Sequence, residues 1–239
     1  MTQKLVYDGL QRCPYLEGRV ARMPLYRQLR RLSLDETDLR FENAERRVGA
    51  CLYRTECPTC NACEGIRVPV ADFKPSKSQR RVWNKWAARG RVEIGPVTFD
   101  DDKLDLFNRH KRERGLVADD DGEMTPLGYV SWLVQSCVFT IEMRYFFDEE
   151  LIGVGIVDLG RISASSVYFY FDPNRSKLSP GVYSALREVE LCRQSGRRYL
   201  YLGLFVEDCR HLNYKAQYRP HERLVDGRWR PGDEVESRS

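Results

Sequence analysis

The chain has 239 residues, 42% of them hydrophobic and 11% aromatic, which suits one sizeable core or two small domains and excludes a disordered chain. The net charge is only +4, so its basic character is local rather than global. Eight cysteines would suit a secreted disulfide framework, but residues 1–8 lack the apolar run of a signal peptide and no stretch approaches membrane-spanning length. A cytoplasmic protein without membrane contact is expected, and there clustered cysteines mean metal or cluster ligation more often than disulfides.

Residues 1–50 begin with Cys13-Pro14-Tyr15-Leu16 and continue as an arginine-rich segment. Arg19, Arg22, Arg27, Arg30 and Arg31 alternate with Leu25, Leu29 and Leu32 at roughly helical spacing, which reads as a solvated amphipathic surface. Cys57, Cys60 and Cys63 follow at even two-residue gaps. Neighbouring loop positions rarely offer disulfide geometry, whereas a tight turn can aim successive sulfurs at one centre. The spacing suits three ligands of an iron–sulfur cluster or part of a zinc knuckle, with Cys13 or Cys51 as the fourth. Cys137 and Cys192, set among apolar residues, read as small buried hydrophobes.

Ile66 to Phe73 alternates like a strand, and Ser76 or Ser78 caps a helix that Gly90 stops. Between Asp72 and Glu93 there are seven Lys/Arg and no acid, together with Trp83 and Trp86. Lys74, Lys77, Arg80, Arg81 and Lys85 are therefore candidate RNA-phosphate contacts, an ordinary solvated face being the alternative. Val92 to Phe99 reads as a strand and hinge, and a boundary near Gly95-Pro96 divides the chain into 1–95 and 96–239.

The second part opens with a helix from Asp100–Asp102 to Arg114, acids first and bases last, as the helix dipole favours. Another helix starts at Thr125-Pro126 and ends near Ser136. Three strands form a meander: Val138–Phe147, Leu151–Asp158 and Ser165–Phe171. A helix from Ser179-Pro180 to Ser195 leads to Tyr199–Val206, a fully apolar strand of the kind buried on both faces. A short helix over Cys209–Gln217, an Asp226-Gly227 hairpin and a polar tail after Pro231 complete the chain. This is the element order of an acyltransferase-type α+β domain. Ser165–Phe171 and Tyr199–Val206 would be its central parallel pair, joined by a right-handed crossover. Where such strands part, their free backbone groups can seat an acyl donor.

Several blocks carry a resemblance. They are Cys13-Pro14-Tyr15-Leu16, Tyr53 through Cys57, Cys60 and Cys63 to Phe73, and Pro75 to Arg81 in the first part. In the second they are Tyr170-Phe171-Asp172-Pro173, Tyr199 to Gly203, Asn213-Tyr214-Lys215, Pro220-His221-Glu222 and Gly227-Arg228-Trp229. Together they resemble the arginyltransferase family, and within it the bacterial aspartate/glutamate leucyltransferase branch. The resemblance implies an N-acetyltransferase-like C-terminal domain and a small cysteine-rich N-terminal domain, which in relatives can hold an iron–sulfur cluster. Cys13 is then the preferred fourth ligand, with zinc as the alternative metal. It further implies transfer of leucine, or alternatively arginine, from charged tRNA to the N-terminal Asp or Glu of proteins, marking them for degradation.

Such a reaction is aminolysis of an ester that is already activated, so it needs positioning, an oxyanion donor and a path for one proton. The acceptor amine, with a reference pKa of about 8, needs no strong base. The acceptor carboxylate needs a cation, and Lys215 is the first candidate and Arg67 the second, with Tyr214 beside them. Tyr170, Asp172 and Tyr201 lie at or near the ends of the expected parting strands, where they could orient amine or ester; a core Tyr201 and a strand-ending Asp172 are the alternatives. No Gly-x-Ser-x-Gly or Walker pattern occurs, so no nucleotide cofactor is expected. A non-catalytic, metal-stabilised RNA-binding protein is the rival reading; it leaves Tyr-Phe-Asp-Pro and Tyr-Leu-Gly without a role.

Overall fold

The computed structural model describes residues 2–116 and 122–236. The first part builds a small sheet. Strands β1 (Gln3–Tyr7), β2 (Leu10–Arg12), β3 (Val20–Arg22) and β4 (Leu25–Gln28) precede helix α1 (Leu34–Glu42), and β5 (Arg46–Val48) and β6 (Cys51–Tyr53) follow it. The order is β1-β4-β6-β5, with β2 and β3 as a separate ribbon. The arginine-rich segment is thus not helical: its residues 20–22 and 25–28 are strands, the first paired with β2 and the second held between β1 and β6, with Ala21 and Gln28 buried. The helix comes later, at α1, where Ser33 accepts from the Glu36 amide and the Glu36 carboxylate accepts from the Ser33 amide, satisfying two free end donors.

The remaining elements are β7 (Glu64–Pro69), α2 (Lys77–Ala87), β8 (Gly90–Gly95), α3 (Asp101–Glu113), α4 (Pro126–Tyr129), β9 (Phe139–Phe147), β10 (Glu150–Leu159), β11 (Ser163–Phe171), α5 (Pro180–Gln194), β12 (Tyr199–Phe205), α6 (Arg210–Asn213), β13 (Glu222–Val225), β14 (Arg228–Pro231) and α7 (Gly232–Glu236). The expected polar tail therefore begins as α7, and its residues 237–239 lie outside the described residues. Among the described residues β7 to β14 form one mixed sheet of eight strands, in the order β14-β13-β7-β12-β11-β10-β9-β8. β7 and β8, which precede the expected boundary at residue 95, are strands of the same sheet as the elements that follow it.

Two cores sandwich this sheet. On one face α2 and α5 pack Trp86, Tyr183, Leu186 and Val189 against Tyr145, Leu200 and Leu202. Trp86 is fully buried, stacks on Tyr183 at a centroid distance of 4.1 Å, and donates its indole N–H to Leu178 O. On the other face α3, α4 and the helical turn Val130–Val134 after it pack Phe107, Tyr129 and Leu133 against Val154, Ile156 and Tyr170. The alternation of β10 and β11 supplies both faces from the same strands.

β11 and β12 are the expected parallel pair, with α5 as their connection. They pair only over Ser163–Ser165 and Tyr199–Tyr201 and then part. Each strand carries an irregularity beside the parting: β11 bulges at Val167 against β10, and β12 shifts register between Tyr201 and Gly203 against β7. Bulges bend a strand and re-aim its side chains, and here they open a gap in the middle of the sheet.

Candidate active site

The gap between β11 and β12 is filled from an unexpected direction. Arg46, the first residue of β5, reaches in from the small sheet. Its Nη1 donates to Ser165 Oγ at 2.9 Å, and its Nη2 donates to Ser166 O at 2.9 Å and Val167 O at 3.4 Å. These carbonyls belong to the stretch of β11 that β12 has left. Gly203, on the opposite strand, has a φ of +90°, and a Cβ there would lie 2.8 Å from the Arg46 guanidinium carbon. A glycine is what lets β12 accept both the conformation and the close approach.

Behind the gap, on α5, lies Glu188, only 1% exposed. Its Oε1 accepts from Ser184 Oγ at 3.2 Å and Ser166 Oγ at 3.4 Å. Oε2 is buried with no hydrogen-bond partner among the described residues. Burial pushes this carboxyl up to about 7, against the Ser166 and Ser184 hydrogen bonds and the positive charge of Arg46, which act the other way. Lys215 stands on the far side, where its Nζ donates to Leu204 O at 2.6 Å. Burial brings its ammonium down to about 7, and the charge of Arg46 acts in the same direction. Tyr214 is half exposed beside it, its hydroxyl raised by burial first and then by the charge of Glu188. The gap thus holds one fixed cation and two groups that exchange protons near neutrality.

The other expected residues are distributed differently. Arg67 and Tyr201 meet each other, but in a closed polar cluster. Arg67 donates to Glu222 at 2.5 Å, to Glu42 at 2.8 Å and to the Tyr201 hydroxyl at 3.0 Å. Its guanidinium also lies 3.9 Å from the Tyr199 ring centre and 4.3 Å from that of Trp229. Two carboxylates already neutralise it. Tyr170 faces the α3 core, where its hydroxyl bonds the Tyr129 hydroxyl at 2.6 Å, so the structure does not bring it to the gap. Asp172 ends β11 and caps the following turn, accepting from the Asn174 amide at 3.0 Å with Arg109 at 3.7 Å. Tyr170 is thus a core side chain and Asp172 caps the turn after β11.

Cys13, Cys51, Cys57, Cys60 and Cys63 are free and half-buried. Cys13 Sγ accepts the Leu16 amide at 3.4 Å. The Cys63 thiol is pushed up to about 12, by burial first and then by the neighbouring Cys13, Cys57, Cys60 and Cys209. Cys13, Cys57, Cys60 and Cys209 are thus neighbours of Cys63, and thiols are soft donors. Among the described residues no three metal-ligating side chains are close enough to hold an ion. Arg46 and Cys63 are both neighbours of Tyr15, so the thiol loop adjoins the gap.

Lys74, Lys77, Arg80, Arg81 and Lys85 lie exposed on or just before α2. Arg80 donates to Pro75 O and Lys85 to Lys177 O, and none has a carboxylate partner among the described residues. No described helix is long and apolar enough to cross a membrane.

Sequence reading missed Arg46 and Glu188. Arg46 lies in the run Glu45-Arg46-Arg47, which looks like ordinary surface. Glu188 did carry a signal: with Ser184 and Cys192 it forms the i, i+4, i+8 stripe of α5 that the helix buries, where a carboxylate is out of place.

Known proteins place the chain in a family. Residues 11–81 match the family described as arginine-tRNA-protein transferase, N terminus, and residues 102–225 match its C terminus. The aspartate/glutamate leucyltransferase of Aeromonas hydrophila is 39% identical over 191 residues, covering 77% of this chain and 76% of that protein. Those of Acinetobacter baumannii and Chromobacterium violaceum are 34% and 35% identical, each covering 91% of this chain and respectively 80% and 89% of their own length. Among solved structures, L-PGS from Bacillus licheniformis is similar with a TM-score of 0.44 and 11% identity, over 71% of this chain and 58% of that one, too distant to support an inference. With both halves matched in order and relatives aligned over most of their length, the chain belongs to the arginine-tRNA-protein transferase family.

Proposed function

We propose that this protein moves leucine from leucyl-tRNA to the N-terminal Asp or Glu of other proteins, creating a degradation signal in the cytoplasm. The observation that carries this reading is the parting of β11 and β12 with a cation and two near-neutral titrating groups around it. The β11 stretch past Ser165 has no β12 partner and its Ser166 and Val167 carbonyls hold Arg46, which suits the opening beside them to seat the aminoacyl ester as in an N-acetyltransferase-like domain. The acceptor's neutral α-amine attacks the ester carbonyl, the C–N bond forms and the C–O bond to the terminal ribose breaks, and the ribose oxygen leaves with a proton. Lys215, held partly neutral near pH 7, takes the surplus proton of the acceptor's ammonium before attack. Tyr214 flanks the acceptor. The exposed side of α2 binds tRNA phosphates.

Cys13, Cys57, Cys60 and Cys63 would hold an iron–sulfur cluster or, alternatively, zinc. Such a centre would fix the loop beside the gap and takes no part in the transfer. Protein purified without oxygen is expected to carry iron and sulfide, or stoichiometric zinc, and Cys57→Ser to lose it together with part of the N-terminal stability. Absence of all three from the anaerobic protein would refute the ligand set.

The function itself is tested by offering purified leucyl-tRNA and arginyl-tRNA to peptides beginning with Asp, Glu or Ala. Leucine should pass to the first two only. Binding of charged tRNA without transfer to any peptide would overturn the enzymatic reading.

A further inference from the structure

Resting on the transfer reading, we propose that Arg46 is the residue that recognises the side-chain carboxylate of the acceptor's N-terminal Asp or Glu. An acidic acceptor differs from Asn or Gln by its negative charge and by a second acceptor oxygen in place of an amide donor, and a cation with donors at the gap, its charge not already spent, reads both. Besides Arg114, which acts on Tyr214 and lies over the Phe171 ring, three cations are near. Arg67 is held by Glu42 and Glu222 and covered by two aromatic rings. Lys215 donates to a backbone carbonyl and is only partly protonated near neutrality, which makes it a weak anion anchor and a better proton acceptor. Arg46 remains. A guanidinium is charged at any working pH and presents a planar fork that matches a carboxylate.

The partners of Arg46 support the assignment. Its donors meet one hydroxyl and two backbone carbonyls, all neutral, and no carboxylate pairs with it among the described residues. Glu188 makes no hydrogen bond to Arg46, and burial raises its carboxyl, the charge of Arg46 being the least of the influences that act against this. The missing Cβ of Gly203 keeps the room this fork occupies, and the bulge at Val167 turns two consecutive carbonyls towards it. Neutral partners of this kind can be exchanged for a carboxylate with a gain, because charge-assisted hydrogen bonds are the stronger ones. Such a fork also accepts Asp and Glu alike, since it binds the end of the side chain.

The test compares peptides beginning with Asp and with Asn. Wild-type protein should favour Asp in kcat/KM, and Arg46→Gln should lower that ratio roughly ten- to a hundredfold. Arg46→Lys, which keeps the charge but not the fork, should restore part of the preference. Ser165→Asp provides an independent arm, because it sets a carboxylate beside Nη1 and neutralises Arg46 in place. It should lose the preference with the arginine retained, even if Arg46→Gln fails to fold. A folded Arg46→Gln or Ser165→Asp variant that keeps the wild-type Asp-over-Asn ratio overturns the assignment alone. A wild-type protein that transfers leucine to no peptide overturns the transfer reading and the assignment with it.

Discussion

Glu188 and Arg47 are both charged groups inside the protein, and the fold treats them in opposite ways. Arg47 is paired: its Nε donates to both oxygens of Asp158, at 3.0 and 2.8 Å, both side chains being 1% exposed, and Thr140 donates to the same carboxylate. Removing one partner leaves the other as an uncompensated buried charge, so Asp158→Ala should destabilise by about 3–5 kcal/mol in urea unfolding. A loss below 1 kcal/mol would mean that water reaches Arg47. Glu188 has no such partner and is kept partly protonated instead. A carboxyl whose pKa is raised on folding stabilises the protein below its unfolded value and loses that contribution as pH rises through the folded value. The window here runs from 4.5 to about 7. Between pH 4.5 and 8 this single group should withdraw about 3 kcal/mol of stability. Glu188→Gln should flatten that slope, and parallel pH profiles for variant and wild type would show that the carboxyl titrates normally.

At the scale of elements, legibility followed how locally each element is determined. Helix α2 could be placed from sequence because Ser76 or Ser78 signalled its cap and Gly90 its stop; Ser76 is the cap, accepting from the Gln79 amide at 3.3 Å while its own amide donates to Gln79 Oε1 at 2.8 Å. β10 and β12 were legible because strands buried on both faces read as apolar runs. β3 and β4 were not, since three- and four-residue strands give too little alternation to override a helical spacing of arginines. Arg46 was out of reach for a different reason: its partners lie 119 to 121 residues away, so no local pattern records them. The proposed role of α2 has its own test. Charge reversal at Arg80 and Arg81, exposed on that helix, should weaken tRNA binding and make it less sensitive to salt, because fewer counterions are displaced. An unchanged salt slope would leave α2 as a solvated face. Trp86 holds the opposite side of the helix in the core, so the reversal should leave the fold intact.

For the whole molecule, the two parts of the sequence are joined at the sheet as well as by the chain. β5 sends Arg46 into the gap and Arg47 into the buried pair with Asp158, so both arginines of one short strand contact residues after 139. β7 goes further and lies inside the large sheet, with β12 on one side and β13 on the other. The last hairpin, β13–β14, is thereby attached to the sheet through a strand made early. During synthesis this has a direct result. A ribosome releases β7 long before either of its neighbours exists, and the strand must wait, with both edges open, until the distal segments emerge. The gap between β11 and β12 has no second wall until then. A transferase that tags other chains therefore stays silent as a nascent chain, and a truncated copy should be inert rather than partly active.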